Sequence, residues 1–160
     1  MTSTAASTSI DVQDAEAIQL WGRVIKGFAV TNRKLHAAIK SAFELSEAEA
    51  ETLLNLHRDP EHRAPMATLA RAAAFTSGGY TKIADKLVHR GLVARVPCVD
   101  DRRITYLELT ADGTEVATDL ARLVSDVNRD QFVGVLGPER ARMVAEAMTE
   151  LYRANRDPKK

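Results

Sequence analysis

From about Asp11 to Phe43 apolar side chains recur at Ile18, Trp21, Ile25, Phe28, Leu35, Ile39 and Ala42, in alternating steps of three and four. Asn32 is the single polar member of that series, and no proline or turn cluster interrupts the stretch. This spacing is the heptad seam of one long helix, and a lone polar residue in a seam is a known means of fixing the register of a helical pair. So long a stripe exceeds what a small body covers by itself. It predicts a homodimer with Ile18, Ile25, Phe28 and Leu35 at the interface, against the alternative that the helix packs only on its own chain.

Beyond Glu44 and Leu45 the pattern shortens. Ser46-Glu47-Ala48-Glu49 reads as a capping box, in which the serine hydroxyl and the third-position glutamate satisfy each other's backbone amides. It opens a helix to about Arg58. Asp59 to Ala64, with Pro60, is expected to be a loop. A short helix follows from Pro65, at a first helical position, through Met66, Leu69, Ala70 and Ala73. Thr76 is placed to cap a fourth helix that stops at Gly91, a residue suited to the left-handed C-terminal position. Leu92 to Val96 reads as a strand, Pro97 to Arg102 as a loop, and Arg103 to Leu109 as a second strand with Thr105, Leu107 and Leu109 on one face. Thr110 caps a helix to about Phe132, and Gly137-Pro138 separates it from a last helix through about Arg153.

Two short helices joined by a tight turn and followed by a β-hairpin predict a mainly α chain with a small wing, in which the second helix of the pair is able to enter a DNA major groove. The expected division is a disordered lead-in at 1–10, dimerisation helices at 11–45 and 111–155, and a winged helix-turn-helix lobe at 46–110. On the fourth helix Tyr80, Ile83, Ala84, Leu87 and Val88 share one face, and Thr81, Lys82, Asp85, Lys86 and His89 the other. Its opening residues after Thr76 are Ser77, Gly78 and Gly79, poor helix formers whose bare backbone permits close approach of free amides to a phosphate or base edge.

Charge sharpens this picture locally. Lysine plus arginine and aspartate plus glutamate both number 22, so the bulk balance points to no partner. From Thr76 to Arg103, however, six basic side chains (Lys82, Lys86, Arg90, Arg95, Arg102, Arg103) face three acids (Asp85, Asp100, Asp101), and a local field is enough to attract phosphate. Arg102 and Arg103 fall at the tip of the wing, where an arginine is able to enter the minor groove and a neighbouring carboxylate to hold its guanidinium in place.

Gly91 to Gly113, GLVARVPCVDDRRITYLELTADG, resembles the multiple-antibiotic-resistance regulator (MarR) family of winged-helix repressors: G-L-V, a wing with Asp101, Arg102 and Arg103, and a strand ending in L-T-x-x-G at Leu109, Thr110 and Gly113. Leu69 to Leu87, LARAAAFTSGGYTKIADKL, is similar to the family's helix-turn-helix, including the group whose reading helix begins S-G-G-x-T. The resemblance implies a symmetric dimer on a pseudopalindromic operator. Ser77, Thr81, Lys82 and Lys86 then face the groove, Arg103 is the wing arginine supported by Asp101, and Arg102 takes a phosphate. Tyr80 stands where the family has an aliphatic residue or methionine, as core or as a stacking contact, and Cys98 where the wing has a polar residue.

The same resemblance implies release from DNA by a small anionic or aromatic ligand, with Trp21, Arg23 and His57 available for its pocket. Trp21 beside the S-G-G-x-T pattern is similar to a urate-responsive subgroup, whereas its heptad position also makes it a plain seam residue. No cofactor and no metal are expected: His57, Glu61 and His62 match no compact zinc spacing. Cys98, the only cysteine, permits no intrachain disulfide and reads as a free thiol. Without a secretion-like N-terminus or an apolar run of membrane length, the cytoplasm is the expected compartment. There is no phosphate-binding loop, nucleophile elbow or metal-ligand helix pair to support an enzyme. The rival from another class is a winged-helix protein–protein module whose basic face meets an acidic partner.

Overall fold

A computed structural model of the chain describes residues 11–73 and 77–156. The lead-in at 1–10 and Thr76 lie outside the described residues, as does the side chain of Ser77. The chain divides into two compact units, 1–34 and 35–160.

In the first unit helix α1 (Val12–Phe43) begins, and Ile18, Trp21, Ile25 and Phe28 are all exposed, Phe28 at 67%. Leu20, Val24 and Val30 are exposed beside them. Most helical stability in proteins comes from packing an apolar face, so a stripe left open in this way calls for a cover.

The C-terminal end of α1 belongs to the second unit and behaves differently. Ile39 is buried and Leu35 half-buried against the core of that unit. Leu35, expected in the dimer interface, is half-buried and packs against the core of its own chain. One heptad spacing serves both purposes, because positions facing a partner and positions facing the chain's own body share a single helix stripe. After Glu44, which takes a left-handed φ of 55°, the capping box of α2 (Glu47–Arg58) forms as the sequence predicts. Glu49 Oε2 accepts from Ser46 N at 2.7 Å and from Ser46 Oγ at 2.8 Å. Leu53 and Leu56 on this helix are fully buried.

The expected loop at Asp59 to Ala64 holds instead the start of a strand. Arg63–Pro65 form β1, pairing antiparallel with β3 (Thr105–Leu109) through Arg63 with Glu108, Ala64 with Leu107, and Pro65 with Tyr106. Three residues are too few to display a strand's alternation in sequence, and Pro65, lacking an N–H, is tolerated because β1 is an edge strand. Pro65 is thus the residue before α3 (Met66–Ala72) rather than its first member. On the other edge, β2 (Val93–Pro97) completes the order β1-β3-β2. β2 starts and ends one residue later than the sequence reading, whereas β3 ends at Leu109 as read but begins at Thr105 and not at Arg103. Arg103 lies in the turn and not in a strand, since its amide donates to Asp101 Oδ1 at 3.0 Å and the Ile104 amide to the Asp101 carbonyl at 2.9 Å.

Helix α4 (Ser77–His89) buries Tyr80, Ala84 and Leu87. Val88, assigned to that face, is exposed; one residue and about 100° beyond Leu87, it falls at the margin of the buried stripe. Tyr80 is only 1% exposed, and its hydroxyl meets Thr52 Oγ1 at 2.8 Å. It is a core residue and not a stacking contact. Burial pushes its phenol pKa up, opposed by the Thr52 hydrogen bond and reinforced by Glu51.

The two ends of the G-L-V … L-T-x-x-G pattern touch each other. Gly91, at φ 70°, ends α4; its carbonyl accepts from Thr110 Oγ1 at 2.6 Å, and the Leu92 carbonyl from the Thr110 amide at 3.1 Å. The same threonine caps α5 (Ala111–Asn128), its Oγ1 accepting from the Gly113 amide at 2.9 Å. A Cβ at Gly113 would run into the Leu92 carbonyl. One threonine and one glycine thus fasten the sheet to the next helix. That helix does not stop near Phe132: a π turn at Arg129–Val133 and the short α6 (Gly134–Leu136) carry it to Gly137, whose φ of 78° breaks it before Pro138 opens α7 (Pro138–Asn155). On α7 Ala141 is buried, while Met143, Val144, Met148, Leu151 and Tyr152 are exposed. No helix among the described residues is long and apolar enough to cross a membrane.

Candidate nucleic-acid interface

The outer side of α4 presents Thr81, Lys82, Asp85, Lys86 and His89 to solvent, with Gly78 exposed and Gly79 half-buried at its start. Asp85 would weaken this face electrostatically, but Arg95 of β2 neutralises it: Nη2 lies 2.7 Å from Asp85 Oδ1 and also donates to the Thr81 carbonyl at 3.4 Å. One arginine therefore both cancels the acid and ties the wing to the reading helix. Lys82 lies at the surface. Lys86 turns toward Glu49, Nζ standing 3.9 Å from Oε1, while its own side chain remains largely exposed.

At the wing, Asp101 and Arg103 form a fork: Nε donates to Oδ1 at 3.0 Å and Nη2 to Oδ2 at 2.9 Å. The guanidinium holds the Asp101 carboxyl below its usual range, and the carboxylate raises Arg103 in turn. Such a pair adds little to stability in water. Its effect is directional, because Arg103 remains 90% exposed and is aimed by two parallel bonds instead of sampling its rotamers freely. Arg102 is exposed beside it. Arg103, Thr81 and Tyr80 share the lining of a cleft of about 480 Å³ with Pro65 of β1 and with Met66 and Thr68 of α3, so wing and α4 flank one concavity.

The structure thus brings Gly78, Gly79, Thr81, Lys82, Lys86, Asp101, Arg102 and Arg103 into one unit. Of the residues considered for an effector, Trp21 and Arg23 are exposed in the unit 1–34, whereas His57 lies in the unit 35–160. The His57 ring stacks on His62 with centroids 5.8 Å apart, and its enclosed Nδ1 makes no hydrogen bond. No group of three or more metal-binding side chains occurs among the described residues. Cys98 is a half-buried free thiol whose amide donates to the Ile104 carbonyl across the wing. The sequence marks Arg95 only as one of the basic side chains of this segment. Its partner comes from a different element, so no local spacing announces the pair.

This arrangement, two helices and a three-stranded wing with an arginine at the tip, is that of a winged helix-turn-helix protein. Residues 43–104 match the model of the MarR family. Solved structures extend the likeness in fold across most of the chain. Sco3205, a MarR family transcriptional regulator from Streptomyces coelicolor solved in complex with DNA, superposes with a TM-score of 0.83 at 22% identity, covering 95% of each chain. AbsC, a MarR family regulator from the same organism, gives 0.80 at 22%, covering 92% of this chain and 97% of that one. NadR in complex with 4-hydroxyphenylacetate gives 0.67 at 20%, covering 94% and 97%.

Proposed function

We propose that the chain is a homodimeric, sequence-specific DNA-binding transcriptional regulator. In this reading α4 enters the major groove with Ser77, Thr81 and Lys82, the backbone at Gly78 and Gly79 approaches a phosphate, and Arg103 reaches the adjacent minor groove. Arg102 and Lys86 meet the phosphate backbone. The observation that carries the reading is the aimed, almost fully exposed guanidinium of Arg103 beside a helix face whose only acid is already paired. A dimer joined through the open stripe of α1 and the helices at 111–155 needs its two probes one turn of B-DNA apart, about 34 Å, to read both half-sites. Repression relieved by a small anionic or aromatic effector belongs to the same reading, supported by the ligand complex of NadR and by the exposed Trp21 and Arg23. An effector of this kind works only through a difference in its affinity for the two spacings.

Selection of bound sequences from random duplexes yields the operator and the test. Arg103→Ala is expected to weaken operator binding about five- to a hundredfold and to lower the slope of affinity against salt by about one. Lys82→Ala is expected to weaken operator binding more than binding to random DNA, read by competition between the two. A wild-type chain that fails to bind any duplex at low salt sinks the proposal and leaves the protein–protein module in its place.

A further inference from the structure

We infer that Arg90 is a positioning residue that sets the separation of the two reading helices, by pinning the C-terminal end of α4 to the C-terminal end of α1. The inference rests on the proposed dimeric DNA-binding function and assigns a residue that touches no DNA.

Arg90 stands between the last residue of α4 and the left-handed turn at Gly91. Its Nη2 donates to the Phe43 carbonyl at 2.9 Å and its Nη1 lies 3.5 Å from the Glu44 carbonyl. Phe43 closes α1. The carbonyls at a helix C-terminus have no partners of their own within the helix and carry the negative end of its dipole. A guanidinium spans two of them with parallel donors, which the single ammonium of lysine cannot do.

One helical turn earlier Lys86 approaches Glu49 from the same side. The Glu49 side chain is only 8% exposed and is fixed by both the amide and the hydroxyl of Ser46. Burial alone would raise its pKa; the Ser46 hydrogen bonds and the charges of Lys86 and Arg90 outweigh burial and lower it, so the carboxylate is ionised at neutral pH. Two cations spaced i, i+4, Lys86 on α4 and Arg90 just past its end, therefore grip the corner where α1 passes into α2, around a cleft of about 490 Å³.

The geometry makes this corner a pivot. Helix α4 has 13 residues and so a length of about 20 Å. Buried along Tyr80, Ala84 and Leu87, α4 moves with its lobe, and a tilt of that lobe of about 10° about this end moves the groove-facing N-terminus of α4 by about 3.4 Å, the rise of one base pair. Whatever holds that end within the unit 35–160, which also carries the helices at 111–155 of the proposed dimer, thereby holds the half-site spacing the dimer accepts.

The experiment compares the full-length dimer with Arg90→Gln and Arg90→Lys on the selected operator and on duplexes whose half-sites are moved closer by one base pair or apart by one or two. Wild type is expected to lose about tenfold or more in affinity per step away from the optimum. Arg90→Gln is expected to flatten the profile to within about threefold, and Arg90→Lys, which keeps the charge and loses the fork, to fall between. If Arg90→Gln does not fold, the lysine variant carries the comparison alone. Variants that reproduce the wild-type profile overturn the inference, and so does a wild type indifferent to spacing. A wild type that binds no duplex at low salt overturns the functional reading as well, which separates the two failures.

Discussion

Among single residues, Tyr80 and Thr52 form a one-way chain of hydrogen bonds: Thr52 Oγ1 is within 2.7 Å of the Ala48 carbonyl, to which it donates, and is thereby left to accept from the Tyr80 hydroxyl. The two partners are not equivalent. Tyr80→Phe removes a donor and leaves Thr52 with its own bond intact, so it is expected to destabilise the fold by about 1 kcal/mol in urea unfolding. Thr52→Val strands the buried phenol and is expected to cost more, up to about 3 kcal/mol. Equal costs would contradict the assigned direction, and a Tyr80→Phe protein that loses operator affinity at unchanged stability would restore the stacking role. Why the sequence left Tyr80 ambiguous is physical: its position on α4 suits the core and a rim contact alike, and the residue that decides between them is 28 positions away. The Asp101–Arg103 fork was legible for the opposite reason, because its partners are two residues apart and bond within one turn. Arg95 and Arg90 went unassigned because their partners, Asp85 and the Phe43 carbonyl, lie on other elements.

Where elements meet, the clasp between the wing and α5 is sharply testable. Glycine within a helix costs about 1 kcal/mol relative to alanine, so propensity alone predicts that Gly113→Ala stabilises α5. Packing predicts the reverse. The added methyl meets the Leu92 carbonyl, a backbone atom held by the Thr110 amide and unable to rotate aside. Gly113→Ala is therefore expected to destabilise by about 2 kcal/mol or more, seen as a lowered melting temperature; a raised one would mean that the clasp is loose. Element boundaries fixed by local chemistry were readable in advance: the Ser46–Glu49 box, the Thr110 cap, Gly91 and Gly137. Those fixed by distant pairing were not. β1 exists because β3 offers it partners, and the π turn at Arg129–Val133 carries no composition that separates it from the helices on either side.

For the molecule as a whole, charge is silent, since acids and bases cancel at 22 each, and apolar surface is what marks an interface. The unit 1–34 exposes Ile18, Trp21, Ile25 and Phe28, and the unit 35–160 exposes Met143, Val144, Met148 and Leu151 on α7. Soluble monomers rarely leave contiguous stripes of this kind open. The two stripes need not contribute equally, because Leu35 and Ile39 show that the heptad series on α1 is spent partly on the chain's own core. Phe28, at 67% exposure, is clear of that core. Placing a carboxylate there buries a charge in any seam that uses it, whereas a monomeric helix tolerates it at the surface. Phe28→Asp is thus expected to convert a dimer to a monomer at micromolar concentration by sedimentation equilibrium, with the melting transition of the winged lobe retained. Operator affinity is expected to fall about a hundredfold or more, because the two half-sites are then bound separately and the gain from linkage is lost. A Phe28→Asp protein that remains dimeric would shift the interface to α7 and leave α1 below Leu35 as a helix whose apolar face serves some other contact.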